Sequence, residues 1–320
     1  MNKVRSLAQK DLLGLKDISL ADIQLILKTA ESMKEVMFRP VKRVPALVGK
    51  TILTLFYEPS TRTKTSFDMA AKILSATTSG ITVASSSVKK GETLIDTAKN
   101  VERTGVDAIV IRHSMAGAPH LIAKNLKIPV INAGDGFNEH PTQGLLDIFT
   151  MKEKKGDLKG KQIVIVGDIS HSRVARSNIW GLKKIGAKVT VVAPPTLLPK
   201  DIELMGVEVS HDLDQAIKTA DVINILRLQL ERQEAGLFPS KEEYAELYGL
   251  NLERLRQAKK GLVIMHPGPI NRGVEITSEV ADLIEKEKGS PYSVILDQVE
   301  NGVAVRMAVL FLLLGGTPPN

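Results

Sequence analysis

Ile23, Ile26, Leu27, Ala30, Met33 and Met37 draw a single helical stripe behind Ser19-Leu-Ala-Asp22, a capping box with Asp in the Glu position. Farther along, apolar runs at 52–57, 81–84, 107–111 and 128–131 alternate with helix-like stretches such as 66–75 and 93–104. That alternation predicts βα units around a parallel sheet. A helix is expected from His140-Pro141, where proline is tolerated in the first turn. It carries Leu145, Leu146, Ile148 and Phe149 and runs down to Lys155-Gly156. A second alternation starts at Gln162, with strands expected at 162–166, 188–193, 221–226 and 261–265. The pattern predicts an α/β chain of two domains, each a parallel sheet flanked by helices. We place them at residues 1–150 and 151–301, with an interdomain helix running into the break near 155–160. An apolar helix over Val303–Leu314, behind Asn301-Gly302, fits either half on pattern alone.

Composition narrows the chemistry. A chain of 320 residues has room for two domains and a substantial core. The N-terminal stretch lacks the apolar core of a signal peptide, and Met307–Leu314 is too short to span a bilayer. The expectation is a soluble cytoplasmic protein with no membrane partner. No cysteine is present, which removes disulfides, thiolate metal sites and a cysteine nucleophile. The six histidines form no HxxxH or HExxH pair, so no metal is expected. The net charge of +7 raises the question of nucleic acid. The densest basic stretch, 151–161, is interrupted by Glu153 and Asp157 and has no interleaved aromatics. A small, highly anionic substrate accounts for the excess as well, and no nucleic-acid partner is expected.

The polar chemistry clusters just past predicted strands, where open α/β sheets bind ligands. After the first comes Ser60-Thr-Arg-Thr-Lys-Thr-Ser66 at the start of a helix. Unpaired N–H groups, the helix dipole, the hydroxyls of Ser60, Thr61, Thr63 and Thr65 and the Arg62 fork together make a phosphate cradle. Ser60 can also cap this helix. The second strand leads into Ser85–Glu92, with Lys89, Lys90 and a hinge-like Gly91. Arg112-His113 follows the third, and Asn132–Gln143 the fourth. Asp135 and Asp168 lie in glycine-flanked turns suited to orienting backbone or arginines, and His113 reads as structural. In the second half, Gly167 lacks the further glycines of a dinucleotide fingerprint, and Arg173 and Arg176 stand in the following helix instead. An anionic small molecule fits that helix better than NAD. Arg227 and Gln229 follow another strand, and His266-Pro-Gly-Pro269 a further one, offering backbone carbonyls as acceptors.

Taken in order, S-T-R-T at 60–63, Lys90-Gly91-Glu92, Arg112-His113, His140-Pro-Thr-Gln143, Arg173, Arg227-x-Gln229 and His266-Pro-x-Pro269 resemble the carbamoyltransferase family. The resemblance runs through nearly the whole chain. S-T-R-T with H-P-x-Q marks the group; the lysine loop and R-x-Q point to its aspartate branch. The ornithine branch carries an Asp-bearing loop ending Ser-Met-Gly and a cysteine in the His-Pro motif. Here no such tripeptide occurs, and Gly268 stands in place of that cysteine. Many members have leucine where Gly268 stands, which leaves the carbonyl in place but removes side-chain stiffness.

The resemblance implies direct transfer of a carbamoyl group from carbamoyl phosphate to the α-amino group of L-aspartate. This is a committed early step of de novo pyrimidine biosynthesis, run without a cofactor or covalent intermediate. It implies that Ser60, Thr61, Arg62, Thr63 and Thr65 hold the phosphate. Thr63, Arg112 and His140 would donate to the carbamoyl oxygen as it becomes an oxyanion. Gln143 and the Pro267 and Gly268 carbonyls would accept from the carbamoyl NH₂. Arg173 would clamp one aspartate carboxylate; Arg227, Gln229 and Lys90 the other. The departing phosphate is a plausible proton acceptor. The family's lysine loop enters a neighbouring site, which implies a homotrimer with Ser86 and Lys90 supplied in trans. On the same grounds the first domain binds carbamoyl phosphate, the second binds aspartate, and helix 302–320 packs back on the first. Some members pair with a zinc-bearing regulatory chain in a larger assembly, on which this sequence is silent. The alternatives are another amine acceptor such as ornithine, or a non-catalytic scaffold, which would be expected to lose at least one of these residues; none is lost.

Overall fold

A computed structural model describes residues 6–82, 92–228 and 240–315. The chain divides into two compact units, Met1–Leu146 with Glu300–Asn320, and Asp147–Val299. In the first, α1 (Leu20–Met37) starts as its pattern requires: the Ser19 hydroxyl accepts from Asp22 N–H at 3.0 Å and donates to the Asp22 carboxylate at 2.9 Å. Then follow β1 (Thr51–Phe56), α2 (Thr61–Ile73), β2 (Thr77–Thr82), α3 (Leu94–Arg103), β3 (Ala108–His113), α4 (Ala118–Ala123) and β4 (Val130–Asp135). The four strands form one parallel sheet in the order β2-β1-β3-β4. Leu55, Ile109 and Ile111 of the sheet pack with Ala98, Val101 and Ile122 of the covering segments, all buried.

The helix α5 (Pro141–Lys155) carries the chain from the first unit into the second. There β5 (Gln162–Val166), α6 (Arg173–Ile185), β6 (Lys188–Val192), β7 (Glu208–Ser210), α7 (Leu213–Ala216) and β8 (Val222–Ile225) come first. They are followed by α8 (Lys241–Tyr248), α9 (Leu252–Leu255), β9 (Val263–Met265), α10 (Ser278–Ala281) and β10 (Tyr292–Ser293). These six strands also form a parallel sheet, in the order β10-β9-β8-β5-β6-β7. The closing helix α11 (Ile295–Leu314) returns the chain to the first unit.

Five elements depart from their pattern. β2 begins at Thr77 rather than 81. As an edge strand it is paired on one side only, and Thr77-Thr-Ser-Gly80 does not look like an apolar run. β4 continues through Asn132-Ala-Gly-Asp135, which reads as loop but is buried throughout. The short outer strands β7 and β10 carry no apolar run and are not predicted. Helix α11 starts at Ile295 and passes straight through Asn301-Gly302. Gly302 is there for space: a Cβ on it would lie 2.6 Å from Arg306 Nη1 and 3.2 Å from Leu146 Cδ2.

Candidate active site

All four strands of the first unit point the same way, so their C-terminal ends lie along one edge. The register sets Phe56 opposite both Thr82 and Arg112, and His113 opposite Asp135. The segments after β1, β3 and β4 therefore converge, as their sequence positions require. Ser60 occupies the N-cap position of α2 at φ −160°, but its side chain makes no capping bond, contrary to the sequence expectation. Its carbonyl accepts from Lys64 N–H at 3.3 Å. With no capping bond from that hydroxyl, the first-turn N–H groups keep the character of an anion-binding helix start. Thr61, Arg62 and Thr65 are exposed on this turn and Thr63 is buried.

Arg112 is half-buried at the end of β3 and held on two sides. Its Nε lies 3.2 Å from Glu58 Oε2, and its Nη1 donates to Ala133 O at 3.4 Å. Glu58 is a residue that motif reasoning passes over; its only signal is a lone carboxylate inside a loop otherwise rich in donors. His113 is tied into the turn beside it. Its Nδ1 accepts from Met115 N–H at 2.9 Å, and its ring lies 4.6 Å from that of Tyr57. Burial pushes the imidazole below its ordinary 6.5, with Glu58 and Asp135 offsetting only part. Burial likewise pushes the Tyr57 hydroxyl up.

The loop leading to His140 is built on Asp135, which is fully buried. Its Oδ1 accepts from Asn132 Nδ2 at 2.7 Å and Glu139 N–H at 3.1 Å. Its Oδ2 accepts from Gly117 N–H at 2.7 Å and Asn138 Nδ2 at 3.0 Å. The neighbouring Glu139 carboxylate accepts from Leu15 N–H at 2.6 Å and Lys16 N–H at 3.1 Å. His140 is thus held between a carboxylate-pinned turn and α5, whose Gln143 and Gly144 N–H groups donate to the His140 carbonyl at 2.9 and 3.1 Å.

The second unit gathers its candidates on the corresponding edge of its own sheet. β5 is followed in sequence by β6 on one side and is paired with β8 on the other, which makes the β5–β8 crevice the topological switch point. Arg173, buried, opens α6 behind Ser172, whose hydroxyl accepts from Ala175 N–H at 3.1 Å. Asp168, fully buried, accepts from His171 N–H at 3.2 Å and lies 2.8 Å from His171 Nδ1. Arg227 follows β8. After β9, Gly268 N–H donates to His266 Nδ1 at 2.8 Å, while His266 Nε2 lies 3.2 Å from Glu275 Oε1. Gly268 has φ +62°, a region that disfavours side chains, so glycine suits this backbone. Ser86, Lys90 and Gln229 lie outside the described residues.

Two family models match the chain. Residues 10–153 match the carbamoyl-P binding domain of aspartate/ornithine carbamoyltransferase, and residues 159–313 match its Asp/Orn binding domain. The chain is 57% identical over 310 residues to an aspartate carbamoyltransferase catalytic subunit of Desulfosudis oleivorans, covering 97% of each. Among solved structures it is similar to ornithine carbamoyltransferase from Pyrococcus furiosus, with a TM-score of 0.84 at 35% identity, covering 98% of this chain and 100% of that one. It is also similar to aspartate transcarbamoylase from Trypanosoma cruzi in complex with N-(phosphonacetyl)-L-aspartic acid, with a TM-score of 0.83 at 29% identity over 97% of both chains.

Proposed function

This chain belongs to the aspartate/ornithine carbamoyltransferase family, and on that premise we propose that it transfers the carbamoyl group of carbamoyl phosphate to L-aspartate, releasing phosphate and N-carbamoyl-L-aspartate. The observation that carries the reading is the register of the first sheet, which sets the end of β1, and with it the Ser60–Thr65 turn, beside Arg112. The 57% identical catalytic subunit supports aspartate as the acceptor. The ornithine enzyme shares the fold, so fold alone does not choose between the two acceptors.

In this reading the first unit binds carbamoyl phosphate and the second binds aspartate. Ser60, Thr61, Arg62, Thr63 and Thr65 surround the phosphate, and Arg62 neutralises charge as it leaves. The carbamoyl oxygen gains negative charge when the amine attacks. Thr63, Arg112 and His140 meet it with donors whose positions are already paid for by folding, the arrangement that stabilises such a transition state most. Glu58 and Ala133 O hold the Arg112 fork, so it need not reorganise during reaction. By the family resemblance, Gln143 and the Pro267 and Gly268 carbonyls accept from the carbamoyl NH₂. Arg173, Arg227, Gln229 and Lys90 supply cations and an amide for the two aspartate carboxylates. The departing phosphate takes the amine proton.

The same resemblance supports a cytoplasmic homotrimer in early pyrimidine biosynthesis, with Ser86 and Lys90 completing the neighbouring subunit's site. Among the described residues no helix is long and apolar enough to cross a membrane. The test supplies carbamoyl phosphate with aspartate, ornithine or putrescine and quantifies each carbamoylated product. Product from aspartate alone is expected; equal turnover with ornithine would overturn the assignment.

A further inference from the structure

Asp147, midway along α5, has no part in the roles assigned above, yet it is fully buried at the centre of a polar network. Its Oδ1 accepts from Gln298 Nε2 at 2.8 Å. Its Oδ2 accepts from Asn178 Nδ2 at 2.7 Å and, at longer range, from Asn224 Nδ2 at 3.4 Å. At its other end, Gln298 Oε1 accepts from His266 N–H at 2.9 Å. Gln298 is 3% exposed, His266 1%, and both asparagines are fully buried, so water cannot substitute for a lost partner.

The direction of these bonds is forced. A backbone N–H can only donate, so Gln298 must turn its carbonyl to His266 and its NH₂ to residue 147. Asn178 is polarised independently: its NH₂ also donates to Val174 O at 3.1 Å, and a carbonyl can only accept. Two amides thus aim donors at residue 147, and a group that accepts on both oxygens satisfies them. Three of the network members lie on segments that carry residues of the reading above. Asn178 is in α6, which opens with Arg173; Asn224 is in β8, just before Arg227; His266 directly precedes Pro267 and Gly268.

We infer that Asp147 is a positioning residue, the buried carboxylate that holds in mutual register the three segments bearing Arg173, Arg227 and the Pro267 and Gly268 carbonyls. This rests on the roles proposed above for those residues. The isosteric Asp147→Asn turns one acceptor into a donor. The new NH₂ either opposes that of Asn178 or forces Gln298 over, which sets an NH₂ against His266 N–H and shifts the Pro267-Gly268 turn.

The test is a mutant cycle on the full-length protein, comparing Asp147→Asn, Gln298→Glu and the double variant for kcat, both KM values, inhibition by inorganic phosphate, and thermal unfolding. The double variant keeps the charge but moves it. The introduced carboxylate accepts from both His266 N–H and the new amide at 147, which still accepts from Asn178. Asp147→Asn is expected to lower kcat by roughly ten- to a hundredfold, the scale of a small misplacement in a reacting site. Inhibition by inorganic phosphate, which the first unit binds, should stay within about twofold. Gln298→Glu alone faces two carboxylates and should be the worst of the three, while the double variant should regain at least about tenfold in kcat over either single change. Wild-type kcat in Asp147→Asn would overturn the inference, as would a double variant that is no more active than the singles or does not fold. A wild-type protein that does not carbamoylate aspartate would instead overturn the functional reading.

Discussion

Gly14 lies so close beneath Glu139 that a Cβ on it would come within 2.8 Å of the Glu139 carboxyl carbon. The carboxylate cannot simply swing aside, because it is buried and accepts from Leu15 and Lys16 N–H. Gly14→Ala is therefore expected to cost about 1–3 kcal/mol of stability, the scale for leaving buried hydrogen-bonding groups unpaired. Glu139 precedes His140, so kcat should fall as well. Urea unfolding alongside steady-state kinetics checks both; unchanged stability would mean that the loop absorbs the methyl group.

Arg62→Ala should separate catalysis from folding. The side chain is exposed on the first turn of α2, so the unfolding temperature should hardly change. Losing a preorganised charge stabiliser should lower kcat by at least roughly a hundredfold. A raised KM for carbamoyl phosphate at constant kcat would instead make Arg62 a ground-state anchor.

His113 gives stability a dependence on pH. Burial holds its folded value below the ordinary 6.5, so the unfolded chain binds the proton more readily. The stabilising effect is complete above 6.5 and is lost as pH falls from there through the lower folded value. The geometry agrees, since a protonated Nδ1 would face the Met115 N–H that it now accepts from. His113→Asn, whose carbonyl can take that bond without titrating, should lose less stability between pH 7.5 and about 5.5 than the parent. Denaturant unfolding at the two values measures the difference; parallel losses would assign the effect to other groups.

A shared site predicts complementation between two inactive proteins, Arg62→Ala and Lys90→Ala. If each site takes its body from one chain and its lysine loop from the next, random reassembly restores about a quarter of the sites. Activity near that level is the expected result. No recovery in proven mixed trimers would assign Lys90 to its own chain.

Much of this was legible in sequence because it is local. The Ser19–Asp22 cap and the α1 stripe depend on neighbours three and four residues apart. The βα alternation places Ser60–Thr65, Arg112, His140, Arg173 and Arg227 after strands, and parallel pairing then brings each set to one edge. Hydroxyls, a guanidinium and a helix start suffice to indicate an anion, whatever the rest of the chain does.

What tertiary structure alone decided concerns groups whose partners are far away in the chain. Asn132–Asp135 looks like loop from its polar and glycine residues, but it is a buried strand because Leu13, Gly117 and Asn138 satisfy its polar side chains. Asn301-Gly302 looks like a helix stop but is the point where α11 packs closely against Leu146. Asp147, Gln298 and His266 have nothing in common along the chain, being separated by more than a hundred residues or by a change of element. Burial raises the cost of every unmatched donor, and so fixes which way each amide must face. Periodicity and motif spacing report which residues face inward and which chemistry is present; the direction of a buried hydrogen bond exists only once folding has brought its two ends together.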